Sequence, residues 1–472
     1  VAADTRFRIL IGGQLQDTDT HLDVLNPATE KVYATCPNAG IQELDSAVAA
    51  AASAFVTWSN EPLETRREAV RGMAAVIAQN KAELVDILVH EQGKSIENAS
   101  QEVDFTSYFA MTTAGLDLTP TTLVDNDAMR VEEHYMPMGV VGAIAPWNYP
   151  LLLGFWKVFA AITAGNTVVL KPSPYTPLAT LKAAEYLAEL VPAGVLNVLS
   201  GGDELGAAMT AHDGIAKISF TGSSPTGKKI LASAASSIKR TTLELGGNDA
   251  AIVLPDTDPK EVAERIFWSA FKNSGQICMA IKRLYVHEDI YDEMCDALTD
   301  IARTVVVGDG TQSTTVLGPV QNKMQFDKVC SLIDDVKKTS ARFLIGGEVS
   351  ESPGYFVPVS LVADAKDGER IVEEEAFGPV LPIIKFSDVD DVIKRANSSE
   401  FGLGGSVWTK DEKQGAALAL RLECGTAWVN QHSVVLPDIP FGGLKNSGLG
   451  LEGAAEGLRG FCNKRIVNVA KS

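Results

Sequence analysis

The sequence predicts the α/β class, a doubly wound parallel sheet followed by a second α/β unit, on two observations. From Val140 onward, short apolar runs without polar alternation recur at 140–145, 167–170, 196–199, 217–220 and 250–254. Helix-length stretches separate the first four, among them 177–190 and 225–235. Strands apolar on both faces and alternating with helices require a parallel sheet covered on both sides. Right-handed crossovers then make it a doubly wound sheet of nucleotide-binding type.

The other elements follow in chain order. The first forty residues mix strand-like runs with turn signals such as Asn26-Pro27. Two helical stretches come next, at about 44–58 and 66–91. In the second, Val70, Met73, Ile77, Leu84 and Leu88 recur near 3.6-residue spacing and mark one apolar face, with Gly93 as the C-cap. A second α/β series runs from about 258 to 426, with strands at 283–287, 379–386 and 427–430 and joints at Gly346-Gly347 and Pro353-Gly354. The tail 466–470 is a β-prone run after the last helix. A strand so placed pairs outside its own domain, a partner subunit being one candidate.

Composition bounds the function. The chain has 472 residues, 46% of them hydrophobic and 21% charged, which excludes intrinsic disorder. At ~150 residues per domain it makes about three domains or two large ones. A net charge of −19 with no basic patch excludes nucleic acid and anionic lipid as partners. No run approaches the ~20 apolar residues of a membrane span. The start, Val1 to Arg6, lacks the basic-then-apolar layout of a signal peptide, and without an initiator Met it is expected to have lost residues ahead of Val1. Six dispersed cysteines without a CxxC pair make neither a disulfide framework nor a zinc site. No metal and a reducing, cytoplasmic compartment are expected.

Four segments have residues suited to chemistry, each with a plainer alternative. Cys278, in Asn273-Ser-Gly-Gln-Ile-Cys278, follows a helical stretch that Gly275 breaks, leaving backbone N–H groups near the thiol. Such donors stabilise a thiolate or an oxyanion, although a lone cysteine is more often a buried hydrophobe. Glu244, between Leu243 and Leu245 and before two glycines, is either a salt-bridged carboxylate or a desolvated general base. Asn148, in Pro146-Trp-Asn-Tyr-Pro150, is an amide in a proline-fixed turn after a strand, either an oxyanion donor or part of a plain turn. The strand, Gly-rich turn and helix start across 219–229 suit a pyrophosphate at a helix N-terminus. That segment matches neither G-x-G-x-x-G nor a P-loop, since Lys229 stands where Ser or Thr belongs.

Taken together, the segments resemble the NAD(P)-dependent aldehyde dehydrogenase superfamily nearly from end to end. The matching motifs, in the family's order, are PWNYP (146–150), KPS (171–173), FTGSSPTG (220–227), LELGG (243–247), GQIC (275–278), EEEAFGPV (373–380) and PFGGLKNSG (440–448). The resemblance implies that fold: a Rossmann-like NAD(P)-binding domain (1–118 and 141–246), a catalytic domain (247–445) and a small β oligomerisation arm (119–140 and 446–472). The arm of such proteins extends a neighbouring subunit's sheet, so a homodimer or homotetramer is expected.

It also implies roles. Cys278 attacks the aldehyde, Asn148 and the Cys278 N–H hold the oxyanion, and Glu244 activates the hydrolytic water. Lys157 and Glu452 relay its proton, or form a structural ion pair. Trp147 and Lys171 lie along the adenosine half of NAD, Ser223 touches the pyrophosphate after Gly222, Glu375 holds the nicotinamide ribose, and Phe377 lines that pocket. Ser173, Pro174, Gly227, Leu245 and Gly246 complete the cofactor set. Many NAD-dependent members have Glu where Pro174 stands, so NADP is tolerated beside NAD. Ile277, Met279, Val435 and Phe441 are the expected substrate pocket. No Arg or Lys occurs in 431–439, which favours a neutral, apolar or aromatic aldehyde over a semialdehyde of succinate type. The rivals are a CoA-acylating dehydrogenase, which generally lacks the carboxylate, and a non-catalytic binding protein on the same fold.

Overall fold

The computed structural model describes residues 6–471. Residues 1–5, where most of the signal-peptide reading falls, lie outside the described residues. The apolar runs become strands buried on both faces: Val140–Ile144, Thr167–Lys171, Leu196–Val198 and Lys217–Thr221. They lie parallel, with Arg240–Glu244 beside Lys217–Thr221, Leu196–Val198 at the far side and Val140–Ile144 central. Ile9–Ile11, Gln14–Gln16 and Gly448–Leu449 add antiparallel edges. Strand order reverses between Val140–Ile144 and Lys217–Thr221. The loops leaving those two carboxyl ends, 145–149 and 222–223, therefore open onto one crevice.

A second sheet has the order Arg342–Ile345, Ser360–Ala363, Val380–Phe386, Ile281–His287, Asp249–Val253, Gly404–Trp408, Thr426–Val429. Only its first strand is antiparallel. Along Asp249–Val253 side chains alternate between two cores: Ala250 and Ile252 join one, Ala251 and Val253 the other.

Three readings need correction. The run 250–254 opens the second sheet, and the fifth parallel place in the first is taken by Arg240–Glu244. That strand's polar, partly exposed start, Arg240-Thr-Thr, hides it from an apolar-run search. The stretch 66–91 is two helices, Leu63–Gln79 and Lys81–Gln92. Asn80 parts them at φ −99° and ψ 18°, its side chain donating to the Val76 carbonyl (2.8 Å). The five periodic apolar residues are nonetheless buried, and Gly93 caps the second helix at φ 90°. The tail strand runs Cys462–Ala470 and pairs along one side with Met129–Pro137 of the same arm, which also pairs with Thr121–Asp125; its other side is an unpaired sheet edge among the described residues. Last, Gly448–Leu449, grouped with that arm by sequence, lies beside Leu243 and Glu244 on the first sheet. Among the described residues no helix is long and apolar enough to cross a membrane.

A buried ion pair fixes the 145–149 turn. Helix Pro150–Thr163 starts at a proline, and Glu102, on helix Ile96–Gly115, accepts the Leu151 and Leu152 N–H groups (3.0 and 3.2 Å). The other Glu102 oxygen takes Lys94 Nζ at 2.5 Å. Lys94 also donates to the Asn148 carbonyl (2.9 Å) and sits 4.0 Å over the Tyr149 ring. Both side chains are fully buried. Glu102→Ala, which strands this ammonium, is expected to lower unfolding free energy by about 3–5 kcal/mol. Urea denaturation measures it, and a loss within error of zero would contradict the role assigned to the pair.

Candidate functional site

Cys278 sits on a strained loop. Helix Pro259–Phe271 has already ended when Asn273 (φ 53°), Ser274 (φ 57°) and Gly275 (φ 72°) turn through the left-handed region. The break thus precedes Gly275, where a Cβ would lie 2.2 Å from the Gly378 carbonyl. Side chains hold the turn: Asn273 Nδ2 donates to Asn148 O (3.2 Å), Ser274 Oγ to Gly318 O (2.7 Å) and Gln276 Nε2 to Asn273 O (2.9 Å). Asn148 reaches the same loop, its Nδ2 donating to Gln276 O at 2.8 Å. The Cys278 N–H has no partner among the described residues. Burial pushes the Cys278 thiol up to about 12; Lys282 opposes this, while Glu375, Glu244 and Asp249 add to it. The thiol is therefore protonated at neutral pH and needs a proton acceptor to react.

Glu244 ends its strand buried, and neither carboxylate oxygen has a hydrogen-bond partner among the described residues. Burial, then the Glu452 charge, raise its pKa well above the ordinary carboxylate range, and Lys157 opposes them. Lys157 Nζ pairs with Glu452 Oε1 and donates to Thr221 Oγ1 (2.7 Å); Ser219 Oγ donates to the same Glu452 oxygen (3.4 Å). A cavity lined by Trp156, Lys157, Glu452 and Phe461 adjoins the pair. A carboxylate left unpartnered beside a satisfied ion pair is suited to taking and passing a proton.

The crevice of the first sheet gathers the residues expected along a dinucleotide. Trp147 meets Phe377 edge-on (5.3 Å between centroids). Lys171 is buried with only the Pro172 carbonyl near Nζ (3.4 Å), and desolvation lowers its pKa to about 8, with Asp203 opposing. Ser173 accepts the Tyr175 N–H (3.3 Å), and Pro174 beside it is half-buried. After Gly222, the exposed Ser223 caps helix Ser224–Ala235. A Cβ on Gly227 would lie 2.5 Å from Leu245, and one on Gly246 2.5 Å from Glu375, so these glycines keep the loops close. Glu375 accepts the Gly247 N–H (3.0 Å). An exposed helix start and a buried lysine lacking an anionic or hydroxyl partner fit a dinucleotide here. Among the described residues no three His, Cys, Asp or Glu side chains gather as a metal site would need.

Met279, Val435 and Phe441 meet Cys278 in one apolar cluster with Leu403 and Trp428. Ile277 is buried but lies outside that cluster. Val435 also touches a second cluster, Phe109, Leu152, Trp156, Tyr149 and Leu153, which sequence reasoning missed because those residues read as ordinary helix faces. Lys282, four residues after Cys278, was missed as well: its Nζ donates to Ile277 O (2.9 Å) and Cys278 O (2.6 Å) and lies 3.4 Å from Glu375 Oε1. The signal for it was a Lys-Arg pair inside a buried strand. Lys272, half-buried and 5.8 Å from the Phe105 ring, has no ion pair among the described residues.

The sequence profile of the aldehyde dehydrogenase family matches residues 15–467. A Pseudomonas protein named "Probable aldehyde dehydrogenase" is 40% identical over 470 residues, covering 98% of this chain and 94% of that one. The phenylacetaldehyde dehydrogenase of Pseudomonas fluorescens is 36% identical, covering 98% of this chain and 96% of its own. The NAD+ complex of a Bacillus cereus aldehyde dehydrogenase superposes with a TM-score of 0.96 at 36% identity, covering 99% of this chain and 97% of that one.

The Glu244 environment makes one prediction independent of activity. Glu452→Gln removes the charge that repels ionised Glu244 and frees Lys157 to favour it. Both effects lower the Glu244 pKa, so its carboxyl band in infrared difference spectra is expected to titrate at lower pH. A shift to higher pH would contradict this electrostatic picture.

Proposed function

The chain belongs to the aldehyde dehydrogenase family, and from that premise we propose that it oxidises a neutral, apolar or aromatic aldehyde to its carboxylic acid, using NAD and tolerating NADP. The observation that carries the reading is one meeting point: the Asn148 amide bonded to the Cys278 loop, with Glu244 buried and unpartnered. Cys278 attacks the carbonyl carbon as its proton passes to Glu244, and Glu244 hands that proton to the Glu452–Lys157 pair. The thiohemiacetal oxyanion is held by Asn148 Nδ2 and the free Cys278 N–H. Bound NAD supplies the acceptor for the hydride that leaves this carbon. Glu244 then deprotonates a water that attacks the thioester; the C–S bond breaks, the acid departs and the thiol returns. A base with no competing hydrogen bond supports hydrolysis over acyl transfer to CoA.

Lys171, Trp147, Ser223, Glu375 and Phe377, with the backbone of the 222–227 and 245–246 turns, would hold the cofactor. With Pro174 beside them, no carboxylate from that position repels a 2′-phosphate. The domain division given above follows these roles, except that Gly448–Leu449 belongs with the first sheet. Apolar side chains left exposed on the three-stranded arm, Leu123, Ile466 and Val469 among them, support assembly as a homodimer or homotetramer. The aromatic wall of Phe109, Trp156, Trp428 and Phe441 supports an apolar substrate. A second reading, an aldehyde with a distal carboxylate, rests on Lys272, since Lys157 is already committed to Glu452.

NADH and NADPH formation across aliphatic, aromatic and carboxylated aldehydes tests the proposal. Neutral aldehydes are expected to turn over with wild type and not with Cys278→Ala. Asn148→Ala should lose about 100- to 1000-fold in kcat. A preference for succinate semialdehyde that Lys272→Met abolishes would favour the second reading, and product formed only with CoA would overturn hydrolysis.

A further inference from the structure

Lys282 joins the two halves of the site. It opens the strand Ile281–His287 just after the nucleophile loop, and its side chain is only 4% exposed. A buried ammonium must spend its N–H donors on acceptors or pay a large desolvation cost. Here two go to the Ile277 and Cys278 carbonyls, and the Glu375 carboxylate lies 3.4 Å away as the counter-charge. The first of these has a geometric consequence. A trans peptide is planar, with its C=O and N–H opposed. The Ile277 carbonyl, held by Lys282 together with the Ala280 N–H (3.1 Å), therefore aims the Cys278 N–H away from Lys282, with no acceptor among the described residues. The third contact fixes Glu375, whose same oxygen takes the Gly247 N–H, in the turn that follows Glu244. The Lys282 ammonium also lies 5.9 Å from the ring centroid of Phe377, which meets Trp147 edge-on.

We propose that Lys282 is a positioning residue that aims the Cys278 N–H into the oxyanion site and couples the nucleophile loop to the carboxylate of Glu375. It rests on the catalytic reading above and adds a specific element to it. The charged groups acting on the Cys278 thiol are Lys282, which favours the thiolate, and Glu375, Glu244 and Asp249, which oppose it. Removing the ammonium thus makes the thiol harder to ionise, whatever the substrate.

The test is alkylation of Cys278 by iodoacetamide, without aldehyde or cofactor, beside steady-state kinetics. In Lys282→Met the alkylation rate at fixed pH below the thiol midpoint is expected to fall about tenfold. With substrate, kcat should fall and KM for NAD should rise. Lys282→Arg keeps the charge and should recover the alkylation rate, but its planar fork cannot serve both carbonyls, so kcat stays low. Should Lys282→Met fail to fold, Glu375→Gln serves: with the opposing carboxylate gone, alkylation should quicken. Unchanged alkylation and kcat in a folded Lys282→Met, or unchanged alkylation in Glu375→Gln, would overturn the proposal. If wild type oxidises no aldehyde, the catalytic reading fails, while the alkylation series still tests the electrostatic coupling of Lys282.

Discussion

Most ionisable groups around Cys278, among them Glu244, Asp249 and Lys282, have been taken out of water, and the structure depends on how that cost is met. Stranding one charge in a dry interior costs several kcal/mol. The protein meets it by pairing: Lys94 with Glu102, Lys157 with Glu452, Lys282 with two carbonyls and Glu375. The first and third also hold backbone segments. Glu102 caps the helix behind the Asn148 turn, Lys94 takes the Asn148 carbonyl, and Lys282 takes the carbonyls on either side of the Cys278 Cα. Glu244 and Asp249 are the exceptions, both buried with neither carboxylate oxygen hydrogen-bonded among the described residues; Asp249 has His432 Nε2 at 3.4 Å, whereas Glu244 has no ion pair among them. A buried carboxylate with neither hydrogen bond nor ion pair is the candidate for the group that changes its protonation state in the proposed reaction.

The fold provides the place for this arrangement. A doubly wound sheet opens a crevice where its strand order reverses, and there the 145–149 and 222–223 loops leave their strands. The second sheet delivers the Cys278 loop against the same turn, through Asn273 and Gln276. The two sheets therefore meet at hydrogen bonds between Asn148 and the nucleophile loop. Displacing either loop would move the Cys278 thiol and the Asn148 amide out of register together.

Much of this was legible in the sequence because the signals were local. Unalternated apolar runs marked the buried parallel strands, and Gly93 marked a helix end through the left-handed conformation it supplies. The thiol, amide and carboxylate stood in motifs whose order identified the family. Less legible was whatever depends on distant packing. Arg240–Glu244 starts polar and hid as a strand, and Asn80 broke a helix through its own side chain. The Phe109–Trp156 contact joins two helices whose apolar residues look like any others. Lys282 looks out of place in a buried strand until its acceptors, one of them 93 residues away at Glu375, are seen beside it.

The central claim is that Glu244 completes the reaction by hydrolysing an acyl group held on Cys278. Intact-protein mass spectrometry of Glu244→Gln, incubated with NAD and an aromatic aldehyde, tests it most directly. The account predicts a single equivalent of NADH and a protein heavier by one acyl group, with the added mass mapping to Cys278. Sustained turnover at the wild-type rate, with no acylated protein, would contradict it.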